Sequence, residues 1–117
     1  MLSQQPIRFA PGTADIDHTA FSTLDSVIEE AAQCASASLR IEGHTDSLGS
    51  ESRNLQLSQA RADAVADYLS AHGIQSARIT TIGVGSAQPI ADNASRDGRR
   101  ANRRVVIRFV AESGRRD

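Results

Sequence analysis

Two side chains of opposite charge, Asp46 and Arg61, stand fifteen positions apart in the stretch GHTDSLGSESRNLQLSQARA, which runs from Gly43 to Ala62. Asp46 falls in a turn segment and Arg61 in the helical pattern that follows it. A carboxylate and a guanidinium on facing edges of one loop–helix unit make a receptor for a ligand that carries both an ammonium and a carboxylate. Taken singly, each has a plainer reading: Asp46, with Gly49, as a turn former and Arg61 as a solvated helix arginine. Their setting joins them. Asp46 comes directly after a buried strand, behind His44 and Thr45, and Gly43 and Gly49 let backbone approach a ligand closely. Exposed backbone N–H groups between a strand end and a helix start would favour a ligand carboxylate.

Other chemistries find less support in the same residues. His44 and Asp46 suggest a metal, but His18 and His72 lack the spacing to complete a ligand set with them. Ser47, Ser50, Ser52 and Ser58 have no nucleophile elbow and no evident base. Gly83-Val84-Gly85 lacks the third glycine and downstream acid of a dinucleotide site. The cluster Arg96, Arg99, Arg100, Arg103, Arg104 and Arg108 raises nucleic acid. Aromatic residues are only 3% of the chain, and Asp92 and Asp97 interrupt the cluster, so stacking platforms for single strands are lacking. The expectation is a binding protein, not an enzyme, with no metal, no cofactor and no nucleic-acid partner.

The elements that must position the pair follow from periodicity. Ile7–Phe9, after Pro6, suits a short edge strand, and Pro11–Gly12 a turn. Ile16, Ala20, Phe21, Leu24, Ile28 and Ala31 recur at helical spacing, with Asp15, Asp17 and Thr19 as cap candidates, and predict an amphipathic helix ending near Cys34. Leu39 and Ile41 alternate with Ser38, Arg40 and Glu42, a half-buried strand ending at Gly43. Leu57, Ala60, Ala64, Val65, Tyr68 and Leu69 predict a second helix, with Gly73 as its left-handed C-terminal cap. A strand over Ile79–Val84 stops at Gly85, and Pro89 to Arg99 is turn-rich. The last strand, Arg104 to Ala111, has Val105, Ile107 and Phe109 on one face and Val106 and Val110 on the other, which predicts cover on both sides. The order β-α-β-α-β-β, with a loop or short helix before the last strand, predicts an α/β sandwich, a four-stranded sheet with helices on one face. Residues 1–111 form one domain and Glu112–Asp117 a disordered tail.

Composition bounds this picture. A chain of 117 residues with 39% hydrophobic and 23% charged side chains is one soluble globular domain with a core of ordinary size. The formal net charge of −1 steers it to neither nucleic acid nor an anionic membrane. All 13 basic side chains are arginine, the better residue for bidentate carboxylate recognition. Cys34 is the sole cysteine, so no intrachain disulfide forms, and it reads as a small, partly buried side chain. MLSQQPIRFA has neither a charged n-region nor an apolar run for a signal peptide or membrane span. Composition leaves open a cytoplasmic protein or a piece of a longer exported one.

The blocks GHTDSLGS, Asn54 with LQLSQARA, ITTIGVG, Gln88-Pro89-Ile90, Asn93 and ANRRVVI, in that order, resemble the C-terminal domain of OmpA. Peptidoglycan-associated lipoproteins and the flagellar stator protein MotB carry the same domain type. The resemblance runs from Ile7 to Phe109. It implies a mixed four-stranded sheet and non-covalent binding of the diaminopimelate residue in the peptidoglycan stem peptide. It assigns the principal contacts to Asp46, taking the ligand ammonium, and Arg61, clamping its carboxylate. Asn54 and Arg104, the second arginine of NRR, are supporting members, and Thr45 and the loop Gly12–Asp15 border the pocket. Without ligand, Asp46 and Arg61 are expected to pair with each other. Arg53 departs from the family in standing where many relatives carry an aromatic residue. The resemblance further implies a periplasmic domain at the end of a longer exported protein, touching a membrane only through upstream segments. Its role is either to anchor an outer-membrane protein or lipoprotein to the wall, or to be the wall-binding end of an inner-membrane stator-like or secretion machine, with a homodimer as one possible assembly.

Overall fold

Leu39 and Ile41 pair across an antiparallel ladder with Phe109 and Ile107, so the two best alternating segments of the sequence lie side by side at the centre of the sheet. They belong to β2 (Ala37–His44) and β4 (Arg104–Ala111) of the computed structural model, which describes residues 6–111. The tail expected to be disordered lies outside the described residues. The short β1 (Ile7–Arg8) flanks β4 antiparallel, and β3 (Ile79–Gly85) runs parallel to β2, giving the order β1-β4-β2-β3. The sheet is therefore mixed, and β1 is an edge strand as Pro6 foretold.

Three α-helices connect the strands: α1 (Phe21–Gln33), α2 (Glu51–Ala71) and α3 (Arg96–Asn102). The core is the layer between the sheet and the first two. Leu24, Val27 and Ala31 of α1 and Ala62, Val65 and Leu69 of α2 meet Ile7, Leu39, Ile41, Val105, Ile107 and Phe109 of the strands. Helix α2 ends where Gly73, at φ 107°, takes the left-handed conformation that a side chain would resist. The N–H groups of Gly73 and Ile74 then reach back to the carbonyls of Ser70 and Leu69.

Several local expectations change. Asp17 is extended, and its carboxylate accepts from the N–H of Thr19 at 3.2 Å. A short 3-10 turn over His18–Ala20 intervenes, so α1 begins at Phe21, not at Ile16. Ala60 is exposed, and α2 instead buries Asn54, Ser58 and Arg61 in its first half. The outer face of β4 is covered only near its start: Arg104 is buried and Val106 half-buried, while Arg108 lies in solvent and Val110 is 46% exposed. Cover on both sides therefore holds for the first part of the strand and fails beyond it, since the apolar layer of helices lies on the other face. Cys34 is exposed at the C-terminal end of α1, not partly buried.

Candidate functional site

The site begins with how close α2 comes to the sheet. A Cβ on Gly43 would run into the carbonyl oxygen of Ser58, and one on Gly83 would lie 2.6 Å from the backbone N of Gln59. Only glycine permits that approach, and α2 uses it to reach the backbone of the edge strand. The Ser58 hydroxyl accepts from the N–H of Gly85 at 2.9 Å, and Gln59 Oε1 accepts from that of Gly83 at 2.9 Å. The strand ends and the first half of α2 are thus fixed together, with residues 45–50 looping between them.

Within that loop Asp46 is held by its own backbone. Its Oδ1 accepts from the N–H of Leu48 at 3.0 Å, a local turn of the kind aspartate favours. The Thr45 hydroxyl donates to the Asp46 carbonyl at 2.8 Å, and Asn54 Nδ2 reaches the same oxygen at 3.4 Å. The remaining carboxylate oxygen, Oδ2, accepts from Arg103 Nη1 at 3.1 Å. Asp46 and Arg61 do not pair: the partner of Asp46 is Arg103, and the expected ligand-free salt bridge is replaced by this one.

Arg61 is fully buried and spends its guanidinium on backbone. Nε donates to the carbonyl of Thr13 at 2.8 Å, Nη1 to that of His44 at 3.0 Å and Nη2 to that of Ala10 at 3.0 Å. The Phe9 ring lies 5.2 Å from its central carbon, within cation–π range. Burial, reinforced by the nearby Arg103 cation, brings its pKa down to about 10, against the opposing pull of Asp46. It remains a cation at neutral pH, and it ties the 10–13 segment to the end of β2.

These groups border a cavity of about 310 Å³, walled by Gly12, Thr45, Asp46, Arg53, Asn54, Arg61 and Arg103 among others. Of the residues singled out from the sequence, Asp46, Arg61, Thr45 and Asn54 come together there. Asp15 is exposed and off the wall, although Gly12 of the same segment is on it. Arg104 is buried elsewhere and donates to the carbonyls of Asn102 and Gln88 at 3.3 and 3.1 Å. The member of the arginine pair that reaches the cavity is Arg103. Counting back by twos from Phe109, Ile107 and Val105 on the helix-facing side puts Arg103 with them and Arg104 on the open side. That parity was available in the sequence and points to Arg103.

His44 lies behind the cavity, 1% exposed, with neither ring nitrogen hydrogen-bonded within the described residues. Its nearest acid is Glu42, whose Oε1 is 3.8 Å from Nε2. Burial, and secondarily the Arg104 charge, lowers its pKa to about 4, so the ring is neutral near pH 7. Burial would raise the pKa of Glu42, but hydrogen bonds and charge from Arg108 and Arg40 leave it lowered.

Residues 8–103 match the model of the OmpA family. The peptidoglycan-binding protein ArfA of Mycobacterium tuberculosis is 43% identical over 102 residues, covering 87% of this chain and 31% of ArfA. The chain thus spans about a third of that relative's length. The crystal structure of the peptidoglycan-associated lipoprotein of Burkholderia pseudomallei superposes with a TM-score of 0.86 at 24% identity, covering 90% of this chain and 89% of that one. The cell wall anchor of the type VI secretion system of Pseudomonas aeruginosa does so with a TM-score of 0.76 at 33% identity, covering 91% and 78%.

Proposed function

Because the chain belongs to the OmpA family, we propose that it binds peptidoglycan non-covalently through the diaminopimelate residue of the stem peptide. The observation that carries this reading is the cavity in which one turn-held carboxylate, Asp46, lies beside the guanidinium groups of Arg61 and Arg103. Diaminopimelate ends in a carbon bearing both an ammonium and a carboxylate. The ammonium takes the place of Arg103 on Asp46, one cation exchanged for another at a carboxylate already poised to accept. Arg61 has given three of its five N–H donors to carbonyls, which leaves two for the ligand carboxylate. Thr45 and Asn54 hold the Asp46 loop, while Asp15 and Arg104 make no ligand contact in this reading.

The name of the ArfA relative and the wall-anchor role of the secretion-system relative support a wall-binding domain of a longer envelope protein, working in the periplasm. The second of these also favours an alternative, the wall-binding end of a secretion machine; in that reading the machine sits in the inner membrane, binding is gated and the domain can dimerise. A membrane span upstream in the longer protein would favour the machine. A barrel or a lipobox cysteine would favour the outer-membrane anchor.

Calorimetry with a diaminopimelate stem peptide against its lysine counterpart tests the central claim. Lysine keeps the amine and lacks the carboxylate, so the arginines lose a charge-assisted partner worth about 1–3 kcal/mol. We expect at least about tenfold weaker binding of the lysine peptide. Equal affinities would remove the arginine clamp.

A further inference from the structure

Past Arg103 the Asp46 cavity adjoins a second one of about 360 Å³, which shares Pro11 and Arg103 with it. The second cavity continues through Arg8, Asp17, Asp97 and Arg100 into a third of about 450 Å³. The three cavities adjoin in a row leading away from the first pocket, past β1 and along α3. Its charge is unbalanced. Arg8, Arg96, Arg100 and Arg103 face only Asp17 and Asp97 around the second cavity. Asp17 is already engaged, by the N–H of Thr19 and by His18 Nδ1 at 3.4 Å. Arg8, Arg96 and Arg100 form no ion pair with any described residue. Arg8 also stands directly opposite Arg104 in the β1–β4 register, a like-charge neighbour.

Arg103 belongs to both cavities. Its Nε is fixed on the carbonyl of Phe9 at 3.0 Å, while Nη1 lies on Asp46. A ligand ammonium that takes over Asp46 leaves that Nη1 free to turn to an anion on the other side. We propose that the second cavity is a carboxylate subsite, which holds an acidic group of the stem peptide adjacent to diaminopimelate through Arg103, Arg96 and Arg100. The proposal rests on the diaminopimelate reading of the first pocket. The acidic group is either the carboxylate that precedes diaminopimelate in the stem or the one that follows it.

The test is calorimetry on this chain with four probes: free meso-diaminopimelate, the diaminopimelate stem peptide, and that peptide amidated at the preceding or at the following carboxylate. One of the two amidated peptides should bind about tenfold more weakly than the parent, the effect of one charge-assisted pair, and identifies which carboxylate is read. Arg96→Ala with Arg100→Ala should erase that difference and leave free diaminopimelate binding unchanged. Both arginines are exposed, so the variant keeps its fold. The subsite is overturned if neither amidation weakens binding, or if the double variant weakens free diaminopimelate as much as the peptide. Wild-type protein that binds no diaminopimelate ligand would overturn the first pocket and this subsite together. Binding that is indifferent to amidation would overturn the subsite alone.

Discussion

Arg61 has two jobs that a single substitution cannot separate. It faces the cavity, and its guanidinium also joins the carbonyls of Ala10, Thr13 and His44. From sequence, Arg61→Ala is expected to abolish wall binding while the fold survives. The structure changes that expectation, because the carbonyls of Thr13, His44 and Ala10 all lose a charged donor together, although Ala10 keeps the weaker bonds from Thr13. Arg61→Ala should lose binding and at least about 2 kcal/mol of stability, read by urea denaturation. Asp46→Ala is the cleaner probe, since Asp46 sits on a loop and its carboxylate holds only Arg103 Nη1 and the N–H of Leu48, both beside the cavity. It should abolish co-sedimentation with diaminopimelate-type sacculi while the unfolding midpoint stays nearly fixed, and normal sedimentation would refute the site. His44 offers a pH handle. Its pKa is lowered from 6.5 to about 4 in the folded chain, so between those values the unfolded chain binds more protons. The associated stability is complete above about pH 6.5 and is lost as pH falls through about 4, at most about 3 kcal/mol. His44→Phe should flatten the pH dependence of unfolding in that window, and an unchanged profile would show that another group titrates.

At the scale of elements, α2 shows why a helix with a polar inward face reads poorly by hydrophobicity alone. Its C-terminal half follows the apolar pattern through Val65 and Leu69, and Gly73 ends it as expected. Its N-terminal half buries Asn54, Ser58 and Arg61, so the inward stripe there is polar and invisible to an apolar count. The signal that does mark it is the glycine of β2 and β3, Gly43 and Gly83, where the helix backbone comes down on the sheet. Gly43→Ala should push α2 off β2, costing about 1–3 kcal/mol as overpacking does and weakening binding as well. Thermal unfolding combined with sacculus sedimentation checks both. A second clamp went unforeseen. Arg78 donates from Nε to the carbonyl of Ala37 at 2.9 Å and from Nη2 to those of Ala31 and Cys34 at 3.1 and 2.9 Å, closing the C-terminal end of α1 onto β2. Nothing in its local sequence distinguishes it from a solvated arginine.

The whole molecule is one-sided. Helices cover the face of Val105, Ile107 and Phe109, while the other face carries Glu42 paired with Arg40 and Arg108, and leaves Val110 open. Stability should divide accordingly. Phe109→Ala is expected to cost about 3–5 kcal/mol, and Val110→Ser to stay within about 0.5 kcal/mol. Comparable losses at the two sites, by chemical denaturation, would mean that the open face is covered in solution.

The sequence by itself determined the strands and the two long helices in order, the left-handed cap at Gly73, and the nearness of Asp46 to the start of a helix that carries Arg61; the short α3 lies in a stretch it marked as turn-rich. Those follow from periodicity and turn chemistry, which act over a few residues. Only the tertiary structure decided what each charge touches. Arg103 reaches Asp46 across 57 positions of chain, and Arg61 reaches Ala10 across 51, because strand pairing brings the first and last segments beside the loop after β2. Long-range pairing sets which carboxylate an arginine meets: strand parity puts Arg103 on the helix side, but nothing local to it names Asp46 as its partner.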